Sequence, residues 1–231
     1  MRFDDVPAGP GPPPPYREVE VPAGRVRLAS RLVLPHAAKA VVAFAHGSGS
    51  SRHSPRNRYV SAVLNRAGLG TLLLDLLAEG EEGDRNNVFD VPLMARRLHT
   101  AACWLRRETA LPVAYFGASA GTAAALEAAA LPGAGIRAIV ARGGRPDLAT
   151  DTALVRVRAP TLLIVGSQDT RVLSLNRLAA DRLRCEHRLA VVPGATHLFT
   201  EPGALATVAE LSRHWFLTHL DPPDAGTPWP T

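Results

Sequence analysis

Cysteine is nearly absent from this chain of 231 residues: Cys103 and Cys185 are the only two, and neither stands at a metal-ligand or redox spacing. A disulfide framework is excluded as the source of stability, and both thiols are expected to be buried and reduced. Long apolar runs are missing too. No stretch could span a bilayer, and the start shows no basic segment leading into an apolar one, so a cytoplasmic location without membrane contact is expected. Lysine is scarce, since nearly all of the 26 basic residues are arginine, and the 21 acidic residues are interspersed among them. The formal charge of +5 therefore gathers into no basic run or basic-aromatic stripe, and nucleic acid is not an expected partner. No spacing of histidine, cysteine or carboxylate suggests a metal, and no cofactor is expected.

What the chain does have is a regular alternation. Apolar runs of strand length at 17–21, 26–34, 41–45, 71–75, 113–116, 136–141, 161–165 and 189–192 are mostly separated by longer helical patterns. That is the signature of an α/β protein, a mostly parallel sheet of about eight strands with helices on both faces. The first two runs have no helix between them and predict an antiparallel N-terminal hairpin turning at Pro22-Ala23-Gly24. One domain, 16–220, is expected, between a Pro/Gly-rich tail at 1–15 and a Pro-rich tail at 221–231. Only a short helix fits between the runs ending at 141 and starting at 161, so no large lid is expected.

The most informative segment is Gly117-Ala118-Ser119-Ala120-Gly121, set between the apolar run Val113 to Phe116 and an alanine-rich stretch that reads as a buried helix. Strand, sharp turn and helix are the setting of a nucleophile elbow, where a strained backbone lifts a serine hydroxyl out of the turn and the neighbours must be small. A serine hydroxyl is a weak nucleophile at neutral pH and needs a base and a group to orient that base. Asp169 follows the apolar run 161–166 and His197 follows the run ending at Val192, the order known for this elbow. Asp147, after the preceding strand, is the alternative acid. His46, His99, His187, His214 and His219 fall in a loop, in helical patterns or at a strand start and read as structural or exposed. The oxyanion hole is expected to use the Ala120 N–H and a second N–H from His46-Gly47-Ser48-Gly49, with Ser48 first and Gly49 second.

With these residues in view the chain resembles an α/β-hydrolase, and within that superfamily it is similar to the dienelactone hydrolase group. The resemblance runs from about Val19 to His219 and rests on His46 to Ser51, the elbow at Ser119, Ala141 to Asp147 and Gly194 to Phe199. His46 to Asn57 and Arg142 to Asp147 also resemble bacterial hydrolase domains that occur alone or joined to a phosphoribosyltransferase, and no such second domain is expected in this chain. The resemblance implies the α/β-hydrolase fold and an ester-cleaving enzyme. Dienelactone hydrolase itself has a cysteine nucleophile, where this chain has Ser119. It also grips a substrate carboxylate with arginines, where this chain reads Asp75-Leu76-Leu77-Ala78-Glu79 and His197-Leu198-Phe199-Thr200-Glu201. Ordinary small carboxylic esters, cleaved through an acyl-serine, are thus the expected substrates. Arg52, His53 and Arg142 follow the carboxyl ends of strands, where ligands bind in open parallel sheets, and are candidates for an anionic substrate group. Salt bridges from such arginines to Glu79, Glu81, Glu82 and Asp84 are the alternative. Thioester cleavage and acyl transfer would use the same triad. A catalytically silent fold binding a small ligand is the reading from another class, and a broken triad would favour it.

Overall fold

The computed structural model describes residues 15–47, 50–78, 80–81 and 90–220. Apart from Pro15, the expected tails lie outside the described residues. Among the described residues eight strands form one sheet: β1 Tyr16–Ala23, β2 Val26–Val33, β3 Val41–Ala45, β4 Gly70–Leu74, β5 Val113–Ala118, β6 Ile136–Arg142, β7 Thr161–Gly166 and β8 His187–Val192. Their spatial order is β1-β2-β4-β3-β5-β6-β7-β8. β1 pairs antiparallel with β2 and β2 with β4, while every pairing from β4 across to β8 is parallel. The expected hairpin forms, but its turn falls at Gly24-Arg25, with Gly24 at φ 68°. Pro22 and Ala23 stay in β1, opposite Arg27 and Val26. A proline is tolerated there because β1 is an edge strand and owes no further N–H.

The α-helices among the described residues are α1 Pro55–Arg66, α2 Val91–Thr109, α3 Gly121–Ala130, α4 Asp151–Arg156, α5 Thr170–Arg182 and α6 Ala204–Leu220. Strand side chains alternate between two cores. Ala43, Tyr115, Ile139 and Leu163 pack with residues of α2, α3, α4 and α5. Phe44, Phe116, Val140 and Ile164 pack with Val60 and Leu64 of α1 and Val208 and Phe216 of α6. Burial on both faces explains why the central strands read as continuous apolar runs and not as alternating ones. α3 is rich in alanine, and Ala123, Ala124, Ala125 and Ala128 are fully buried. Such short side chains let the helix lie close on the sheet and hold its first turn beside Ser119.

Between β6 and β7 the chain has only a 3-10 turn, Pro146–Leu148, and the six-residue α4. No lid is inserted at that place. The strand order reverses at β3, which has β4 on one side and β5 on the other. The carboxyl ends of strands at such a reversal form a natural crevice for ligands.

Two glycines separate steric crowding from backbone strain. A β-carbon on Gly121 would collide with the carbonyl of Ala45 and lie 2.7 Å from the carbonyl oxygen of His46. One on Gly133 (φ 70°) would meet nothing within 4 Å. We predict that Gly121→Ala lowers unfolding free energy in urea by about 3 kcal/mol through overpacking. Gly133→Ala is predicted to cost about 1–2 kcal/mol from its left-handed backbone alone.

Candidate active site

Ser119 carries a side chain at φ 50°, in the left-handed region that residues other than glycine rarely occupy. Three hydrogen bonds pin it there. Its N–H donates to the Arg142 carbonyl at 3.2 Å, and its own carbonyl accepts from Thr122 N–H at 3.1 Å and Arg145 N–H at 3.0 Å. The flanking small residues are demanded by contact: a β-carbon on Gly117 would lie 2.6 Å from Thr122 Cα, and one on Gly47 would lie 2.9 Å from Ser119 Cβ. The chain after β3 therefore runs directly against the serine. Ser119 is half-buried, whereas its neighbours Ala118 and Ala120 are buried. Ala120 caps α3, so its N–H stands at the open, positive end of that helix.

Asp169 caps α5, yet its side chain makes no capping bond. Instead its Oδ2 lies 2.6 Å from His197 Nδ1. An ionised carboxylate can only accept, so Nδ1 carries the proton and a neutral ring presents Nε2 as an acceptor. The loops bearing the two residues are stitched together. Ser167 N–H donates to the Val192 carbonyl at 3.0 Å, Gln168 N–H to the Ala195 carbonyl at 3.0 Å, and Gly194 N–H to Ser167 Oγ at 2.8 Å. Gly143, at φ 52°, packs closely on His197: a β-carbon there would sit 3.2 Å from the His197 carbonyl oxygen and 3.4 Å from the ring Cε1. Arg142-Gly143 thus touches Ser119 through its carbonyl and His197 through its α-carbon, which brings nucleophile and base candidates to one turn.

The alternative acid is otherwise engaged. Asp147 takes a two-pronged bond from Arg145, at 2.8 Å from Nε and 2.7 Å from Nη2, and these bonds hold its carboxyl below the usual range. The remaining histidines are elsewhere occupied or placed. His46 bonds the Gly47 carbonyl through Nδ1 at 2.9 Å, His99 lies beside Cys103, His187 is in β8, and His214 and His219 are in α6. Cys103 and Cys185 are both free thiols. Among the described residues no cluster of three or more His, Cys, Asp or Glu could hold a metal, and no helix is long and apolar enough to cross a membrane.

Sequence reasoning passed over the structural part played by Asp75, which closes β4 and is buried. Its Oδ1 accepts the Arg52 N–H at 2.6 Å and lies 3.5 Å from His46 Nε2, and its Oδ2 is paired with Arg52 Nη1. One carboxylate therefore holds Arg52 and lies beside His46, the neighbour of Gly47, which abuts Ser119. Burial by itself would push this carboxyl up, but the nearby His46 ring and the bonds from Arg52 outweigh it and hold the group below the usual range. The available signal was a lone acid ending an apolar strand at the ligand-binding edge of the sheet. Arg52, a candidate for an anionic substrate group, has its guanidinium committed to Asp75, with Glu18 a further 3.6 Å contact. His53 is exposed. Arg142 is buried and is taken up below. Glu81 pairs with Arg97 at 2.6 Å, while Ser48, Gly49, Glu79, Glu82 and Asp84 lie outside the described residues.

This sheet, with its elbow between β5 and α3 and its acid and histidine after β7 and β8, defines an α/β-hydrolase. A solved dienelactone hydrolase from Anabaena variabilis is 50% identical, covers 90% of this chain and 99% of its own, and superposes with a TM-score of 0.87. The chain belongs to the dienelactone hydrolase family. Est1E from Butyrivibrio proteoclasticus shares the fold at 15% identity and a TM-score of 0.76, over 88% of this chain and 98% of its own. A Mycobacterium tuberculosis protein, provisionally named a phosphoribosyl transferase and found in two strains, is 55% identical over 212 residues, or 90% of this chain. That match covers 48% of the mycobacterial protein, so the chain spans about half the length of the curated relatives it matches. No family model matches the chain.

Removing the clamp gives a prediction with a definite sign. Asp75 has a lowered folded pKa, so its contribution is present above the unfolded value of about 3.9 and is lost as pH falls through the folded one. Asp75→Asn should lower stability by about 2 kcal/mol at neutral pH. The melting-temperature gap to wild type should close as the pH falls below about 4, whereas a gap of constant size would contradict the clamp.

Proposed function

We propose that this chain is a serine hydrolase that cleaves small carboxylic esters through an acyl-serine intermediate. The observation that carries the reading is the 2.6 Å His197–Asp169 bond, on the far side of the Arg142-Gly143 turn from a serine held at φ 50°. In this reading His197 Nε2 takes the Ser119 proton as Oγ bonds to the ester carbonyl carbon. The carbonyl π electrons move onto oxygen, and the oxyanion is met by the Ala120 N–H and a donor from the loop after β3, where Ser48 and Gly49 stand. Collapse breaks the bond to the alcohol oxygen, which leaves with the proton from His197. A water molecule, deprotonated in turn by His197, attacks the acyl-serine and releases the acid.

Asp169 fixes the tautomer and steadies the imidazolium that forms, which is the part a half-buried carboxylate beside Nδ1 can play without itself being protonated. Family membership supports a hydrolase of this fold. The short passage from β6 to β7 leaves the mouth without a lid there, which favours short acyl chains.

Hydrolysis of p-nitrophenyl esters tests the reading. Ser119→Ala should lower kcat roughly 10⁴-fold or more, with Asp169→Asn close behind. A series from acetate to dodecanoate should give its highest kcat/KM at about four carbons or fewer. Full activity in Ser119→Ala would overturn the proposal, and a long-chain preference would overturn the small-ester part.

A further inference from the structure

Arg142 ends β6 with only 8% of its surface exposed. It follows Val140 by two residues, so its side chain turns toward the face covered by α1 and α6. There its Nη2 donates to Asn57 Oδ1, in the first turn of α1, at 3.4 Å, and its Nε is buried without a partner. No carboxylate pairs with it among the described residues. The charge that bears on it is of the same sign: Arg56, whose own Nε is also buried without a partner. Burial first, and Arg56 second, push the Arg142 guanidinium down to about 10.

Two guanidinium groups near each other, one buried and one half-buried, are destabilising unless an anion joins them. The start of the 12-residue α1 adds to the demand. Pro55 is first in the helix and Ser54 caps the Asn57 N–H, leaving the Arg56 N–H at a position no intrahelical carbonyl can reach. A single negative charge would leave one of the two cations unbalanced, whereas a dianion with several acceptor oxygens matches both.

We propose that Arg142, Arg56 and the first turn of α1 bind a phosphate dianion carried by the substrate, so that the ester this enzyme hydrolyses is a phosphorylated one. The assignment rests on Ser119 acting as the nucleophile. The site adjoins that serine, because the Arg142 carbonyl holds the Ser119 N–H at 3.2 Å and the next residue, Gly143, lies against His197. Arg52, held by Asp75, takes no part.

Two measurements test this, one of them independent of turnover. Inorganic phosphate, titrated against chloride at equal ionic strength, should raise the melting temperature of wild type and of Ser119→Ala in a saturable way. The rise should vanish in Arg142→Met and in Arg56→Gln. In the second measurement, acetylglycerol phosphate and monoacetylglycerol are compared as substrates. The ratio of their kcat/KM values should be roughly ten to a hundred in wild type, the worth of one charge-assisted contact, and near one in both variants. Should Arg142→Met fail to fold, Arg56→Gln, altered at a less buried residue, carries the same test. No phosphate-specific rise in wild type, a rise that survives in the variants, or a wild-type ratio near one would overturn the proposal. Phosphate protection of Ser119→Ala with no turnover of either ester would overturn the hydrolase reading while leaving the anion site standing.

Discussion

Ser119 keeps a side chain where the backbone favours glycine, and such a conformation, worth about 1–3 kcal/mol of strain, persists only when the surroundings leave no alternative. The surroundings here are three strands. β5 delivers the serine, the end of β6 receives its N–H, and the chain leaving β3 passes so close that Gly47 has room for hydrogen alone. Gly121 is pressed against the carbonyls of Ala45 and His46 in the same way, so α3 is fixed relative to β3 as well as to β5. The alanine composition of α3 follows from this: bulkier side chains would lift the helix off the sheet and release the turn.

Around that turn the charged groups are nearly all spoken for. Asp147 belongs to Arg145, Glu81 to Arg97, Asp75 to Arg52 and His46, and Asp169 to His197. Each pairing fixes a loop at the carboxyl edge of the sheet, and the last of them sets His197 against the Arg142-Gly143 turn that also holds the serine. The pairings also mark the exception. Arg142 is buried among an amide and another arginine, an arrangement that only an incoming anion balances.

Much of this was legible in the chain. A parallel sheet buries both faces of its strands, so the strands stand out as apolar runs, and the residues that do chemistry follow them directly. The places of Ser119, Asp169 and His197 directly after β5, β7 and β8 could be read for that reason, as could the short passage between β6 and β7. What could not be read depends on contacts between distant segments. Arg52 looked like a substrate contact because its partner, Asp75, comes 23 residues later and only loop closure brings them together. Asp147 competed with Asp169 until the fork of Arg145 was seen to occupy it. Arg142, in a polar run of arginine and glycine, gave no sign of its burial. The hairpin turn slipped because a proline reads as a turn former, while an edge strand can hold one at Pro22.

The central claim is that the fold makes Ser119 an activated nucleophile, and reaction with a fluorophosphonate followed by peptide mapping tests it most directly. Phosphorus accepts Oγ only when a base removes its proton and an oxyanion hole receives the charge, so other serines stay unlabelled. The account predicts one label per chain, located on Ser119, with labelling slowed severely in His197→Ala. A folded wild-type protein that takes no label, or takes it on another residue, would contradict it.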